Sequence, residues 1–151
     1  MRIEEEIHQD KFASARHKLI INTFFTANWL REQHTVLLRP FDITLQQFNI
    51  LRILRGQAPR ATSIGLLQER MLDRQPDVSR LVERLRLKGL LQRATSLKDR
   101  RSCEVTITEA GMALLAAIDR VLEAWFANLT TLSETEAEEA SRILDQVRGS
   151  V

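Results

Sequence analysis

Long cationic side chains are the residues in this sequence whose type and spacing best suit the binding of a ligand. Residues 52–101 hold 13 Lys and Arg against 5 Asp and Glu, a net charge of +8. The rest of the chain holds 9 basic and 15 acidic residues, a net charge of −6, so the total of +2 hides a basic middle between acidic ends. Guanidinium and ammonium groups bind phosphate oxygens by charge-assisted hydrogen bonds. The middle of the chain is therefore suited to binding phosphate groups.

A helix is predicted in this basic segment, starting near Pro76 and closing at Gly89. Proline suits a first helical position because its missing N–H would have no partner there, and glycine suits the left-handed residue that ends a helix. An i, i+3, i+4, i+7 spacing predicts one buried face, formed by Val78, Leu81, Val82 and Leu85. The polar side then carries the candidate contact residues Asp77, Ser79, Arg80 and Arg84.

A two-stranded hairpin is predicted directly after the helix. Leu90–Thr95 is one strand, and the second shows the alternation of a half-buried strand, with Cys103, Val105 and Ile107 facing inward. The loop between them, SLKDRRS, holds the candidate residues Lys98, Asp99, Arg100 and Arg101. Cys103 is predicted to be a structural thiol, and a redox role beside this basic loop is the alternative.

A helix with a basic outer face followed by a cationic hairpin has a physical use on duplex DNA. Such a helix fits the major groove, where long donors reach base edges, and the hairpin tip can reach the minor groove or the backbone. The pattern is that of a winged helix-turn-helix. Two alternatives stay open: a merely solvated charged surface, and a helical interaction module whose winged helix docks protein. A module of the second kind has no need of a net charge of +8 on one segment.

The sequence resembles the MarR family of bacterial transcriptional regulators. The resemblance rests on FDITLQQFNILRILRG, VSRLVERLRLKGLLQR, the loop LKDRRS and the exit VTITEAG. It implies a fold that is mainly α with a small β-wing, in which a winged helix-turn-helix is joined to long N- and C-terminal dimerisation helices. It also implies that Asp99 steadies the wing and that Arg101 enters the minor groove. The segment MLDRQPD departs from the family because it lacks the glycine often found in that turn.

The resemblance and the hydrophobic pattern together predict one domain, residues 1–151, with three regions. Residues 1–40 and 109–151 form the dimerisation helices, and residues 44–108 form the winged helix-turn-helix. Residues 4–38 are predicted to be one long helix or two collinear helices. Apolar side chains lie all round that helix between Leu19 and Leu30, so a second copy of the chain is expected to cover it.

Capping signals predict the remaining helices. Thr44 and Gln47 form a capping box for a helix over 45–55 that stops at Gly56. Ser63 caps a helix over 64–71, whose Leu66 and Leu67, with Leu72, would pack on the basic helix, and Arg60–Thr62 would add a strand to the wing. Thr108 caps a helix that runs to about Leu129. Ser133 and Glu136 open the last helix, with an inward set of Ala140, Ile143, Leu144 and Val147.

The sequence gives no sign of an enzyme, a cofactor or a metal site. It contains no GxxxxGK[ST], GxGxxG or GxSxG motif, and His8, His17 and His34 have neither the i, i+4 spacing nor cysteine neighbours that metal ligation favours. The acidic N-terminus does not resemble a secretory signal, and Leu19–Leu30 is far short of the roughly 20 residues of a membrane span. A cytoplasmic protein without a membrane partner is expected.

A small amphipathic or aromatic effector is a further partner that the resemblance implies. In the family such molecules bind between the dimerisation helices and the DNA-reading part. The side chains expected to line that cleft are Phe25, Trp29, His34, Phe48 and Leu51. Aromatic side chains at helical spacing also serve as ordinary core, and that alternative stays open.

Overall fold

The computed structural model describes residues 1–73, 77–95 and 103–149 of the 151-residue chain. The elements in chain order are α1 Ile3–Glu6, α2 Ala15–Leu38, a 3-10 turn Arg39–Phe41, α3 Leu45–Gln57, β1 Thr62–Ser63, α4 Ile64–Arg70, α5 Val78–Leu87, β2 Leu91–Thr95, β3 Cys103–Ile107, α6 Glu109–Leu129 and α7 Glu134–Val147. The predicted fold class, mainly helical with a small antiparallel wing sheet and long terminal helices, is confirmed.

Backbone packing divides the chain into two compact units, Met1–Leu115 and Ala116–Val151. The first unit holds α1 to α5, the sheet and the start of α6. The second holds the remainder of α6 and all of α7. Among the helices of the described residues, none combines the length and the apolarity that a membrane span requires.

The prediction of a continuous or collinear helix over residues 4–38 is wrong near its start. Residues between α1 and α2 are not helical, and His8 lies in the left-handed region with φ of 52°. Ser14 starts α2 instead, because its hydroxyl accepts the His17 N–H at 3.1 Å, and serine is a favoured N-cap residue. The ammonium group of Lys18 donates to Glu4 Oε1 at 2.5 Å and lowers the pKa of that carboxyl, so α1 is fastened to α2.

The Thr44 capping box is confirmed, but the predicted stop of the next helix is not. Thr44 Oγ1 accepts from the Gln47 N–H at 3.2 Å, and Gln47 Oε1 accepts from the Thr44 N–H at 3.0 Å. Gly56 lies inside α3, which continues to Gln57. Pro59 follows one residue beyond the cap and cannot donate a backbone hydrogen bond, so it is the better stop signal.

The three strands pair in the order β1-β3-β2, all antiparallel. The first strand is Thr62–Ser63, slightly later than the predicted Arg60–Thr62. Val105 lies at the centre of the sheet, opposite Thr62 on one side and Arg93 on the other, and its side chain is fully buried. The wing sheet is therefore anchored in the core of the first unit at its middle strand.

A single apolar core joins the sheet to the helices of the first unit. Its fully buried side chains are Leu38, Ile50, Leu51, Leu54, Leu67, Val82, Leu85, Leu91, Val105 and Leu115. Leu72, predicted to pack on α5, is 79% exposed. Helix α4 ends at Arg70, so Leu72 no longer follows the helical spacing that would have turned it inward.

The last helix begins as predicted but does not bury its apolar residues. Ser133 and Glu136 form the capping box, and the bond to Ser133 lowers the pKa of the Glu136 carboxyl. Of the predicted inward set, Ala140 is half-buried, whereas the side chains of Ile143, Leu144 and Val147 are exposed. The prediction of an inward-facing stripe is therefore wrong for the single chain.

The start of α6 is held close to the loop between α5 and β2. Thr108 Oγ1 accepts from the Gly111 N–H at 3.1 Å and donates to Gly89 O at 2.7 Å. Gly89 has φ of 72°, the left-handed conformation that its position requires. A Cβ atom at Gly111 would lie 2.2 Å from Leu90 O, so only glycine allows this approach.

Two glycine-to-alanine variants should therefore change stability in opposite directions. Gly111→Ala should lower the free energy of unfolding by about 3 kcal/mol, because a backbone carbonyl would have to move. Gly56→Ala, inside α3 with nothing within 4 Å of the new Cβ, should raise it by about 0.5–1 kcal/mol. Urea unfolding followed by circular dichroism measures both, and a neutral Gly111→Ala would contradict the close approach.

Candidate nucleic-acid interface

Helix α5 presents a clear division between a core face and a solvent face. Its predicted buried residues are confirmed, with Val82 and Leu85 at 0% exposure and Val78 and Leu81 below 10%. The α5 helix packs on α3, α4 and β2, which hold it from three sides. Ser79, Arg80 and Arg84 lie on the exposed side, as the spacing predicted.

The helix start is fixed by Asp77, one of the predicted contact residues. Its Oδ1 accepts from the Arg80 N–H at 3.0 Å, the geometry of an N-cap. The carboxylate therefore has a structural use that the prediction did not give it. The backbone at Arg80 is ordered by this bond, which places the Arg80 side chain in the first turn of the helix.

One cation of the exposed face is neutralised within the helix. Glu83 accepts two hydrogen bonds from Arg86, from Nε at 2.9 Å and from Nη2 at 2.8 Å. The pair lowers the pKa of the Glu83 carboxyl and raises that of the Arg86 guanidinium. Among the residues that the structure describes, Arg80 and Arg84 have no such ion-pair partner. These two guanidinium groups are therefore available to a ligand.

The predicted wing is present as β2 and β3, but its tip is outside the described residues. Lys98, Asp99, Arg100 and Arg101 all fall there, so their predicted roles stay predictions. The strands that carry them pair in register, with Leu91 opposite Ile107 and Arg93 opposite Val105. Residues 74–76 of the turn before α5, including Pro76, are also outside the described ranges.

Cys103 lies at the base of the wing and is half-buried, where a buried thiol was expected. Its Sγ is 2.6 Å from Nε of Arg93, which donates to it from the neighbouring strand. The contact is with a side chain of the same sheet, which is consistent with a structural thiol. Elsewhere in the described part of the chain, no cluster of three His, Cys, Asp or Glu side chains is placed to hold a metal ion.

The five side chains expected to line an effector cleft have different surroundings in the single chain, and their ligand role stays a prediction. Phe25 and Trp29 line a small cavity against Met1 and Ile3 of the N-terminal segment. His34 lines a different cavity, of about 240 Å³, between α2, α3 and the end of α4. Phe48 and Leu51 are buried in the core, Leu51 completely. The helix break between α1 and α2 allows the N-terminal segment to fold back against Phe25 and Trp29.

A larger cavity of about 640 Å³ lies between the end of α2, the start of α3 and the end of α5. Its polar lining includes Arg39, Asp42, Arg84 and Lys88, and its apolar lining includes Ile43, Leu45 and Leu87. Lys88 Nζ donates to Asp42 Oδ2 at 2.8 Å and also to the Asp42 carbonyl oxygen. The basic face of α5 is thus continuous with a cavity that joins cations to apolar surface.

Sequence reasoning missed this cavity because its lining is brought together over long distances in the chain. Asp42 and Lys88 are 46 residues apart, and no local pattern pairs them. The sequence offers one local signal, an aspartate two residues after Pro40. In the structure Asp42 is left-handed, with φ of 53°, and aspartate is among the few residues that tolerate this conformation.

Residues 41–102 match the family model described as MarR family. Solved structures agree over a longer span: a MarR transcription factor from Planctomyces limnophilus is 26% identical, with a TM-score of 0.70 over 90% of this chain and 99% of that chain. The chain thus resembles the MarR family over residues 41–102, and it has the winged-helix fold of these solved structures.

Two further MarR-fold structures show the extent of the likeness. MepR from S. aureus, solved as a complex with DNA, is 23% identical, with a TM-score of 0.77 over 93% of this chain and 100% of that chain. BpsR from Bordetella bronchiseptica, whose DNA binding is regulated by 6-hydroxynicotinic acid, is 24% identical, with a TM-score of 0.62 over 82% of this chain and 98% of that chain. At these identities the likeness concerns the fold.

Proposed function

We propose that this DNA-binding transcriptional regulator acts as a ligand-responsive homodimer that represses transcription by occupying a palindromic operator. The observation that carries the proposal is the exposed face of α5, where Arg80 and Arg84 lack ion-pair partners among the described residues while the opposite face is buried. The family match and the net charge of +8 over residues 52–101 support it. No catalytic reaction is part of the proposal.

The contact residues divide into two roles by their place on the helix. Arg80 lies in the first turn of α5, which in a helix-turn-helix reaches base edges in the major groove, with Ser79 beside it. Arg84 lies one turn later and is assigned to phosphate, as are Lys98 and Arg100 of the wing. By resemblance to the family, Asp99 orders the wing tip and Arg101 enters the minor groove.

The rival function is a protein-docking module built on the same winged helix. Salt separates the two because DNA binding releases counterions from the phosphate backbone, so its affinity falls steeply as salt rises. Docking through an apolar or mixed protein surface has no comparable salt slope. A DNA titration at two salt concentrations therefore tests the proposed function directly.

Arg80→Ala and Arg84→Ala should affect DNA binding differently. With an operator selected from a random-sequence library, Arg80→Ala should cost about 1–3 kcal/mol and leave random DNA nearly unaffected, because a bidentate base contact is lost. Arg84→Ala should weaken both DNAs and reduce the salt slope by about one counterion per subunit. Fluorescence anisotropy at two salt concentrations measures these quantities. Equal losses on both DNAs for Arg80→Ala would reassign it to phosphate, and a flat salt response would favour the rival.

Exposed apolar side chains near both chain ends support the homodimer. In the first unit, four exposed apolar side chains lie on α2: Leu19, Ile20, Phe24 and Val36. Phe24 is the most exposed of these four, at 66%. The second unit, taken by itself, exposes Val121, Phe126, Leu132, Ile143, Leu144 and Val147. Exposed apolar groups on this scale are typical of surfaces that a partner covers. We propose that a second copy of the chain covers both sets.

Sedimentation velocity should therefore report twice the monomer mass at micromolar concentration. The double variant Phe24→Asp with Phe126→Asp should sediment as a monomer, because two charges would be buried without partners in the interface. Leu72→Asp makes the same kind of change at an exposed leucine outside both chain ends, and it should remain a dimer. A wild-type monomer, or a dimer that survives the double variant, would contradict the proposed interface.

The effector is proposed to be an aromatic acid that occupies the 640 Å³ cavity. Arg39 and Arg84 can donate hydrogen bonds to its carboxylate, and Ile43 and Leu87 offer apolar surface to its ring. Because Arg84 is also assigned to DNA phosphate, a carboxylate bound there would compete with the operator. The regulation of BpsR by 6-hydroxynicotinic acid concerns that protein, and it supports trying the same acid here.

6-Hydroxynicotinate at millimolar concentration should lower the affinity for the selected operator, while its amide, which lacks the carboxylate charge, should not. Arg39→Ala should abolish this response with basal DNA binding unchanged, because Arg39 lines the cavity but is assigned no DNA contact. The anisotropy titration described above measures it. Equal effects of acid and amide would contradict recognition of the carboxylate, and a response retained in Arg39→Ala would contradict this cavity.

A further inference from the structure

The segment that enters the turn before α5 is fastened to two other helices by its polar groups. Asp73 Oδ2 accepts a hydrogen bond from Gln46 Nε2 of α3 at 2.9 Å, and Asp73 Oδ1 lies 3.7 Å from Arg31 Nη2 of α2. One residue earlier, the Leu72 N–H donates to Asn49 Oδ1 of α3 at 3.2 Å. We call these three contacts the turn tether.

The turn tether adds little to the stability of the fold, so its three contacts call for another explanation. The side chains of Arg31 and Asp73 are 62% and 36% exposed, and ion pairs at such exposure add little to the stability of a fold. Leu72 itself is mostly exposed, so the bond to its N–H does not serve to bury an apolar residue. Three polar contacts made by two consecutive residues act together on the position of the backbone.

The position of that backbone bears on the DNA-reading helix. Three residues separate Asp73 from Asp77, the N-cap of α5, so the two Cα atoms are at most about 14 Å apart. Arg80, the proposed base-reading residue, lies in the first turn after that cap. The core fixes α5 through its buried face, and the tether adds a restraint at the end of the helix where base contacts are expected.

We propose that Asp73 is a positioning residue for operator recognition, held by Gln46 and Arg31, and that it acts without touching DNA. The proposal rests on the proposed DNA-binding function. Arg31 belongs to α2, the same helix that carries Phe24 of the proposed dimer interface. The tether therefore joins the segment that precedes the turn to α2 as well as to α3.

The cavity of about 240 Å³ lies directly against the turn tether. Arg31, Gln46, Asn49 and Asp73 all contribute to its lining, together with His34 of α2. A change in the packing of α2 at this cavity would reach Asp73 through Arg31. The tether thus supplies a polar connection between α2 and the segment that precedes the turn, outside the apolar core.

Two substitutions at Asp73 with a matched control test the proposal. Asp73→Ala removes both side-chain contacts and should lower affinity for the selected operator about tenfold, with less than a twofold change on random DNA. Asp73→Asn keeps an oxygen that can accept from Gln46 and should fall between wild type and Asp73→Ala. Glu69→Ala removes the same charge from an exposed carboxylate of α4 outside the tether, and it should leave operator affinity unchanged or raise it.

A charge exchange provides the rescue. Arg31→Glu should weaken operator binding, and the double variant Arg31→Glu with Asp73→Lys should recover most of the loss, since the ion pair is restored with reversed sign. Unfolding temperature and sedimentation should stay near the wild-type values throughout, which separates positioning from a structural defect. Equal effects of Asp73→Ala and Glu69→Ala, or no recovery in the double variant, would overturn the proposal.

The same titrations distinguish failure of the tether from failure of the proposed function. If the wild-type protein binds no DNA with a salt-dependent affinity, the proposed function itself is wrong. If the wild type binds and Arg80→Ala loses selectivity while Asp73→Ala does not, only the positioning role of Asp73 is wrong.

Discussion

The burial of one face of α5 is the constraint on which the rest of this structure depends. Val82 and Leu85 are completely enclosed, and the helix packs on α3, α4 and β2. Burying side chains of this size stabilises the fold by roughly 1.5–3 kcal/mol each, so the helix cannot rotate to bury its arginines instead. The rotation of the helix is thereby set, and with it the outward direction of Arg80 and Arg84.

Around that helix, the polar groups perform a different task from the apolar ones. Asp77 caps the helix, Glu83 neutralises Arg86, and Thr108 joins the loop at Gly89 to the start of α6. The net stabilisation from each such contact is small beside that of the core. Their effect is on geometry and charge, since they determine where α5 starts, where it ends and which of its cations stay available.

The two compact units differ in how completely a single chain buries their apolar side chains. The first has a continuous core from α2 to the start of α6. In the second, which is much smaller, the apolar side chains of α7 stay exposed, although the helix has a proper capping box. Capping is a local property of the backbone, whereas burial needs a surface to pack against, so good helix signals do not guarantee a buried face.

The sequence by itself determined the features that depend on neighbours a few residues away. It identified the buried stripe of α5, the left-handed Gly89, the N-caps at Thr44, Ser63, Thr108 and Ser133, and the two strands of the wing. Hydrophobic spacing and capping chemistry act over three or four residues, so they can be read from the sequence alone.

Only the tertiary structure decided what depends on residues far apart in the chain. It broke the first helix after α1, exposed Leu72, and brought Arg31, Gln46 and Asn49 to Leu72 and Asp73. These outcomes follow from how whole helices pack, and no local pattern records which faces will meet. The same holds for Gly111, whose lack of a side chain matters solely because Leu90 O comes within 2.2 Å of the Cβ position.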